Sequence, residues 1–407
     1  MGYTRDTLRG VSWMSALRLA TRAASFLKIA VLARFLSPAQ FGLFGVASIA
    51  LSLLEVLTQT GINIFLVQSK KEIEEYVDSA WVVSILRGAF IGLLIILLSP
   101  FLAEFFNTPE ALNILLLISI VPFIKGFINP SEIKFQKNLN FAYEFWFRSI
   151  IFVVDAAIAI IFSVLTQSVY GLVLGLIAGA VLEVVLSFAI IKPWPRFNVN
   201  FSHVREILHR GKWVTAYSVF DYFGENLDDI LVGRVLGTPV LGIYQVAYRI
   251  STMPISEIAN VVSPVVFPVY ARIVEDNKRL IRAFLKTSFL TALAAVVMGT
   301  IIFVYPREIV LIVLGEQWLS AIPVLQLLSI YGVLRAIVSP SYAVFLAKGE
   351  QKHVTLVILV RLLALSLFIY PFIKTFGLVG AGYAAIFSII AEIPFVIYFL
   401  LFTFKNK

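Results

Sequence analysis

The run Gly10–Leu36, GVSWMSALRLATRAASFLKIAVLARFL, is long and apolar enough to cross a bilayer, yet Arg18, Arg22 and Lys28 lie inside it with no acid between them. A charge held at mid-membrane costs about 2.5–3.5 kcal/mol on insertion scales, so three facing lipid would cost about 8–10 kcal/mol before snorkelling recovers part of it. Turning them into a water-filled cavity costs less. Arg18 and Arg22 are four residues apart and share a helix face, with Ser15 and Ser25 beside them. Lys28 points elsewhere on a straight helix. An arginine grips phosphate oxygens bidentately and a lysine acts as a point charge. The chemistry that suits these residues is therefore non-covalent: holding an anionic cargo in a cavity opened from one side of a membrane.

Further cations fall at depth in the first half, at Arg87, Lys125 and Arg148, and join Arg18, Arg22 and Lys28 as candidates to bind substrate in a cationic cavity, against the acids Glu55, Asp155 and Glu183. The seventh apolar stretch reverses the sign. GKWVTAYSVFDYFGENLDDILVGRVL carries Asp221, Glu225, Asp228 and Asp229 at i, i+4, i+7 and i+8, which is one face. Clustered carboxylates in low dielectric share protons or bind a cation. The cationic helix thus reads as an anion-binding wall and the acidic helix as the candidate for coupling to H+ or Na+. Ion pairing between the two halves is the structural alternative. Arg249, Glu257, Arg335, Arg361 and Glu392 are further cavity candidates. There are no cysteines, and His203, His209 and His353 fall in polar connections. Thiol catalysis and Cys-ligated metal are thereby excluded, and we expect no catalytic residue, no metal site and no cofactor.

The elements that position these charges follow from composition. The chain has 407 residues, 60% of them hydrophobic and 14% charged, with mean hydropathy +0.93. This is the composition of an all-α polytopic membrane protein. Spans of about 20 apolar residues number twelve, at 11–36, 41–67, 79–99, 111–130, 146–165, 169–191, 213–236, 242–269, 284–305, 318–346, 354–373 and 378–402. The first run is too long for a cleavable signal peptide and lacks a small-residue cleavage site, so it stays as a membrane helix. Nineteen Lys and Arg fall in the short connections on the side of the N-terminus, against Arg307 and Lys374 on the other, or four with Arg34 and Arg234. By the positive-inside rule both termini are cytoplasmic. The net charge of +9 is a property of these loops, and no nucleic-acid partner is expected.

The longest inner connection divides the chain into an N-terminal six-helix lobe at 1–191, a basic cytoplasmic linker at 192–212 and a C-terminal six-helix lobe at 213–407. Within the linker, Phe201, Val204, Ile207 and Leu208 recur at helical spacing and suggest a short amphipathic helix on the inner leaflet. The halves repeat each other. ARFLSPAQFGLFGVA (33–47) aligns with GRVLGTPVLGIYQVA (233–247), and SIVPFIKGFINPS (119–131) with SIYGVLRAIVSPS (329–341). Arg148 aligns with Arg361, and Lys28 is equivalent to Asp228. Six is even, so the copies are parallel, related by a pseudo-two-fold axis along the membrane normal. Two such bundles suit alternating access.

RGVSWMSALRLATRAASFLKIAVLARFLSPAQFGLFGVASIALSLLEVLTQTGI resembles the N-terminus of polysaccharide or lipopolysaccharide biosynthesis export proteins. These are the lipid-linked oligosaccharide flippases of the multidrug/oligosaccharidyl-lipid/polysaccharide exporter superfamily. DDILVGRVLGTPVLGIYQVAYRISTMPISEIANVVSPVVFPVYARI resembles their seventh and eighth helices. The resemblance implies two six-helix lobes and a cationic cavity that takes the pyrophosphate and sugars of a polyprenyl-linked oligosaccharide, with the lipid tail left among the membrane lipids. It implies transfer from the cytoplasmic to the outer leaflet of the cell membrane, for cell-surface polysaccharide, beside glycan polymerase or glycosyltransferase partners. A sodium site known in related lipid II flippases carries over here only to Asp228 and Asp229. One alternative is a cation-coupled multidrug exporter, which wants an acidic or apolar cavity and fits the Arg-rich first helix badly. Another is a membrane-embedded polysaccharide polymerase or ligase, which needs a sizeable outer loop; the outer connections here are short.

Overall fold

The computed structural model describes the backbone of residues 2–59, 62, 66 and 73–405, and side chains throughout these except at 2–11, 206–214, 216–217 and 259–265. Helices account for nearly all of it, and no strand occurs among the described residues. The chain divides into two units, Met1–Asn226 and Leu227–Lys407.

In the first unit the long helices are α1 (Gly2–Phe35), α2 (Pro38–Leu57), α3 (Val77–Phe105), α6 (Phe141–Thr166) and α7 (Tyr170–Ile190). Between α3 and α6 the chain runs through two shorter helices, α4 (Ala111–Ile118) and α5 (Ile120–Lys125), and a turn of helix at Pro130–Lys137. Helix α1 has no glycine or proline after Gly10, and it stops where Ser37 and Pro38 start the next helix. Ser37 Oγ accepts from the Gln40 amide and Gln40 Oε1 accepts from the Ser37 amide, a reciprocal cap with proline at the first helical position.

The fourth expected span is the one that departs most from its reading. Instead of a single helix over 111–130, α4 and α5 are separated at Ser119, and the chain bends by 70° before Pro130–Lys137. Pro122 has no amide hydrogen and its ring crowds the carbonyl four residues back, at Ile118, where α4 ends. Pro130 then holds Asn129 extended (ψ 114°).

Helix α8 (Phe201–Leu236) starts earlier than its span. The stretch read as a short interfacial helix is helical but continues without a break into the seventh span, while 192–200 lies outside any helix. Val204 packs against the cluster of Ile62, Leu66, Ile73, Tyr76 and Val77, whereas Phe201 is exposed. Ile207 and Leu208 lie outside the described side chains. This non-helical segment is tied down along its length. Asn129 Nδ2 donates to the Ile191 and Pro193 carbonyls at 3.3 and 3.1 Å, the Arg196 amide donates to Asp78 at 2.8 Å, and the Asn200 amide donates to Ser79 Oγ at 3.0 Å.

The second unit holds the rest of α8 and α9 (Thr238–Arg272), α10 (Asn277–Val304), α11 (Pro306–Val313), α12 (Ile322–Ala347), α13 (Gln351–Phe376) and α14 (Leu378–Lys405). Helix α12 is its hub, packing against α9, α10 and α14, with α13 laid on α14. Gly237 (φ 86°) makes the corner between α8 and α9, at the repeat position of Ser37.

Eight helical segments among the described residues are long and apolar enough to cross a membrane, nine if the bent pair Ala111–Lys125 and Pro130–Lys137 makes one span. Helices α1, α8 and α9 are not among them, although their 34, 36 and 35 residues give ample length; they carry charges such as Arg18, Arg22, Asp228 and Asp229 along their course. This is a multi-pass membrane protein.

Candidate functional site

In the first unit glycines let helices meet at backbone distance and so set the positions of the side chains between them. A Cβ at Gly88 on α3 would lie 2.3 Å from the Pro122 carbonyl oxygen, and one at Gly126 would lie 2.9 Å from that of Ser84. Beside this contact is a cavity of about 200 Å³, whose polar lining is Glu55, Ser84, Arg87, Lys125 and Glu132. Arg87 is fixed by α2: Nη2 donates to the Glu55 carbonyl at 2.7 Å and Nε to Thr58 Oγ1 at 3.2 Å. Lys125 Nζ stands 3.7 Å from Glu55 Oε1 with both groups more than a third exposed. Such a solvated pair is weak and exchangeable. Two cations of the expected anion wall therefore share one cavity, Arg87 held rigidly and Lys125 loosely.

Two others are engaged elsewhere in the same unit. Lys28 Nζ donates to both Asp155 oxygens at 3.0 and 2.9 Å, joining α1 to α6, with each side chain 13% exposed. Arg148 donates to Glu183 on α7 and, through Nη2, to Glu132 at 3.1 Å. Lys28 and Arg148 are thus ion-paired, but with acids of their own unit, whereas the alternative weighed from the sequence was pairing between the halves. Arg18 and Arg22 are exposed on α1.

The acidic face of α8 is not uniform. Asp221 and Glu225 are exposed; Asp228 is buried and accepts from the Tyr244 hydroxyl at 2.6 Å; Asp229 is half-buried and accepts from Gln245 Nε2 at 2.9 Å. The Asp229 amide also donates to Asp228 Oδ1 at 3.0 Å. Both carboxylates are therefore engaged by α9 within the second unit. Among the described residues no group of three His, Cys, Asp or Glu is arranged to hold a metal ion.

A second buried cluster lies in the C-terminal unit. Arg361 Nε is 3.8 Å from Glu392 Oε2, and Tyr342 donates to the other Glu392 oxygen. Arg335 Nη1 donates to the Tyr248 hydroxyl at 3.4 Å. The alignment that matches Arg148 with Arg361 and Ser131 with Ser341 also matches Glu132 with Tyr342. Each unit thus carries an arginine, a glutamate from the next helix and a third polar group, with Arg148 aligned to Arg361 and Glu132 to Tyr342 but Glu183 and Glu392 out of register by three residues. Glu132, Tyr244, Gln245 and Tyr342 escaped the reading of the sequence. Extending the repeat alignment by one residue past Ser131 and Ser341 is the signal that finds Glu132 and Tyr342.

Residues 31–323 match the model of a family described as polysaccharide biosynthesis protein. The chain is 25% identical over 362 residues to the teichuronic acid biosynthesis protein TuaB of Bacillus subtilis, covering 85% of this chain and 72% of that one. It is equally 25% identical, over 358 residues, to the lipopolysaccharide biosynthesis protein WzxC of Escherichia coli, covering 86% and 72%. Among solved structures, an inward closed conformation of the lipid II flippase MurJ aligns with TM-score 0.78 at 16% identity, covering 96% of this chain and 88% of that one. An inward-facing multidrug resistance transporter of the MATE family and MOP superfamily aligns with TM-score 0.70 at 15% identity, covering 97% and 99%. The fold is shared with these transporters, and the family match spans most of the chain: this protein belongs to the polysaccharide biosynthesis protein family.

Proposed function

We propose that the chain is a flippase. It moves polyprenyl-pyrophosphate-linked oligosaccharide from the cytoplasmic to the outer leaflet of the cell membrane by alternating access, for cell-surface polysaccharide. The observation that carries this reading is a cavity inside a membrane-embedded unit with Arg87 and Lys125 on its wall, in a chain of this family. An arginine already oriented by α2 and a lysine whose carboxylate partner is loosely held are what a pyrophosphate displaces at small cost. Exposed Arg18 and Arg22 extend the cationic surface along α1. Lys28 and Arg148 act behind them, as the buried pairs that fix α1, α6 and α7.

In this reading the nine apolar spans and the three long charged helices α1, α8 and α9 make twelve crossings. They form two six-helix lobes, 1–191 and 213–407, joined by the cytoplasmic segment 192–212 and related by a pseudo-two-fold axis along the membrane normal. Both termini are cytoplasmic, and no enzymatic step is required. Asp228 and Asp229, with Asp221 and Glu225 further along α8, are the candidates for coupling to H+ or Na+. The drug-exporter reading draws only on the fold shared with MATE transporters and predicts a cavity without Arg87.

The test is complementation of a flippase-deficient host, at matched membrane levels. Wild type should restore surface glycan, Arg87→Ala/Lys125→Ala and Arg18→Ala/Arg22→Ala should abolish it, and Asp228→Asn/Asp229→Asn should slow it. Full activity of the Arg87/Lys125 variant would remove the cavity from the mechanism.

A further inference from the structure

Three carboxylates surround Arg148 in the first unit. Glu183 and Glu132 both accept from its guanidinium, and Glu144 lies within electrostatic reach of Glu132 and Arg148. Glu144 is 5% exposed and accepts from Gln136 Nε2 at 2.8 Å through Oε1. The second oxygens of Glu132 and of Glu144 are closed off from solvent and find no hydrogen-bond partner among the described residues. One guanidinium thus faces three carboxylates, and Glu132, in direct contact with it, has one oxygen without a hydrogen-bond partner among the described residues. Burial without a partner disfavours the charged form of a carboxyl group.

Glu132 is also the member of the cluster that lines the cavity, where it shares the wall with Glu55, Arg87 and Lys125. The nearby basic side chain of Lys134 is turned to Glu74. In the second unit the matching position is Tyr342, a group that holds its proton, facing Glu392 and Arg361.

Resting on the reading that the cavity takes a pyrophosphate, we propose that Glu132 is a proton-carrying carboxyl in that wall. It binds one proton from solvent, RCOO− + H+ ⇌ RCOOH, and holds it at neutral pH. In the neutral form the cavity presents Arg87 and Lys125 against Glu55 alone and accepts a phosphate-bearing head group; in the ionised form Glu132 repels it. By linkage, the head group strengthens proton binding by the factor by which the proton strengthens head-group binding.

The test is infrared titration of the protonated-carboxyl band in purified protein in lipid nanodiscs, which needs no cargo. We expect wild type to show a band at neutral pH that Glu132→Gln loses and Glu183→Gln keeps. Glu144→Gln, which removes a neighbouring charge and leaves Glu132 in place, should shift the titration to lower pH. A band unchanged in Glu132→Gln, or unshifted or lost in Glu144→Gln, overturns the assignment; if Glu132→Gln does not fold, the Glu144→Gln shift decides. Binding of inorganic pyrophosphate to the same samples should weaken more steeply with rising pH in wild type than in Glu132→Gln, and identical slopes would overturn the link to the cavity. Glycan transport without the band keeps the flippase reading and removes this one; the band without transport does the reverse.

Discussion

Lys28, read from the sequence as a cation that avoids lipid and could hold cargo, is ion-paired in the structure. Its partner Asp155 is 127 residues away, a distance across which no spacing rule reaches. Breaking a buried pair from one side leaves an uncompensated charge and costs about 3–5 kcal/mol, whereas removing both partners with apolar groups of similar volume is often near neutral. Lys28→Met alone should therefore lower the thermal midpoint of the purified protein strongly, and Lys28→Met/Asp155→Leu should recover most of the loss; equal loss in the single and double variants would show that the pair is not the cause. Glu132 was invisible for another reason. It sits at the bend after Pro130, in a segment that reads as a polar connection, and only the fold turns it onto Arg148. Arg87, Lys125 and Arg148 were legible because a cation within an apolar run needs an aqueous or paired setting. Which setting each has depends on where the neighbouring helices put Glu55, Glu132 and Glu183, and one sequence carries little of that.

At the scale of elements, some long apolar helices were legible almost to their ends, as at α7, expected over 169–191 and observed as Tyr170–Ile190, while others were several residues out, as at α10, expected over 284–305 and observed as Asn277–Val304. What the pattern did not mark is that the helix of the linker runs on into the seventh span as Phe201–Leu236, or that the fourth span, which contains Pro122, is broken in two. The packing of α3 on α5 depends on Gly88, whose added Cβ would overlap a backbone carbonyl. Gly88→Ala should cost about 1–3 kcal/mol of stability and narrow the cavity, read as a lower thermal midpoint together with weakened pyrophosphate binding; an unchanged midpoint would mean that α3 and α5 part freely. The non-helical stretch after α7 depends on Asn129, fully buried and bonded to two of its carbonyls. Asn129→Ala should speed tryptic cleavage after Arg196 in the folded protein, and an unaltered rate would assign the tethering to Asp78 and Ser79.

For the whole molecule, the internal repeat was legible as text, and each unit pairs an arginine with a glutamate of the following helix, Arg148 with Glu183 and Arg361 with Glu392. The absence of cysteine makes the proposed topology directly testable: single cysteines at Asn107 and Gly377 should react with an impermeant thiol reagent added to intact cells, and one at Glu350 only after lysis. Labelling of all three from outside would contradict cytoplasmic termini. The central claim is that a cationic cavity in a membrane fold carries a pyrophosphate-linked glycan across the bilayer. Its most direct test is proteoliposomes loaded with such a lipid, with glycan exposure followed by an external lectin. Wild type should expose inner-leaflet glycan with time, and Arg87→Ala/Lys125→Ala should slow this on the order of tenfold or more, the loss expected from charge-assisted contacts worth about 1.5–3 kcal/mol each. Exposure no faster than in protein-free liposomes, or equal rates for wild type and variant, would contradict the account.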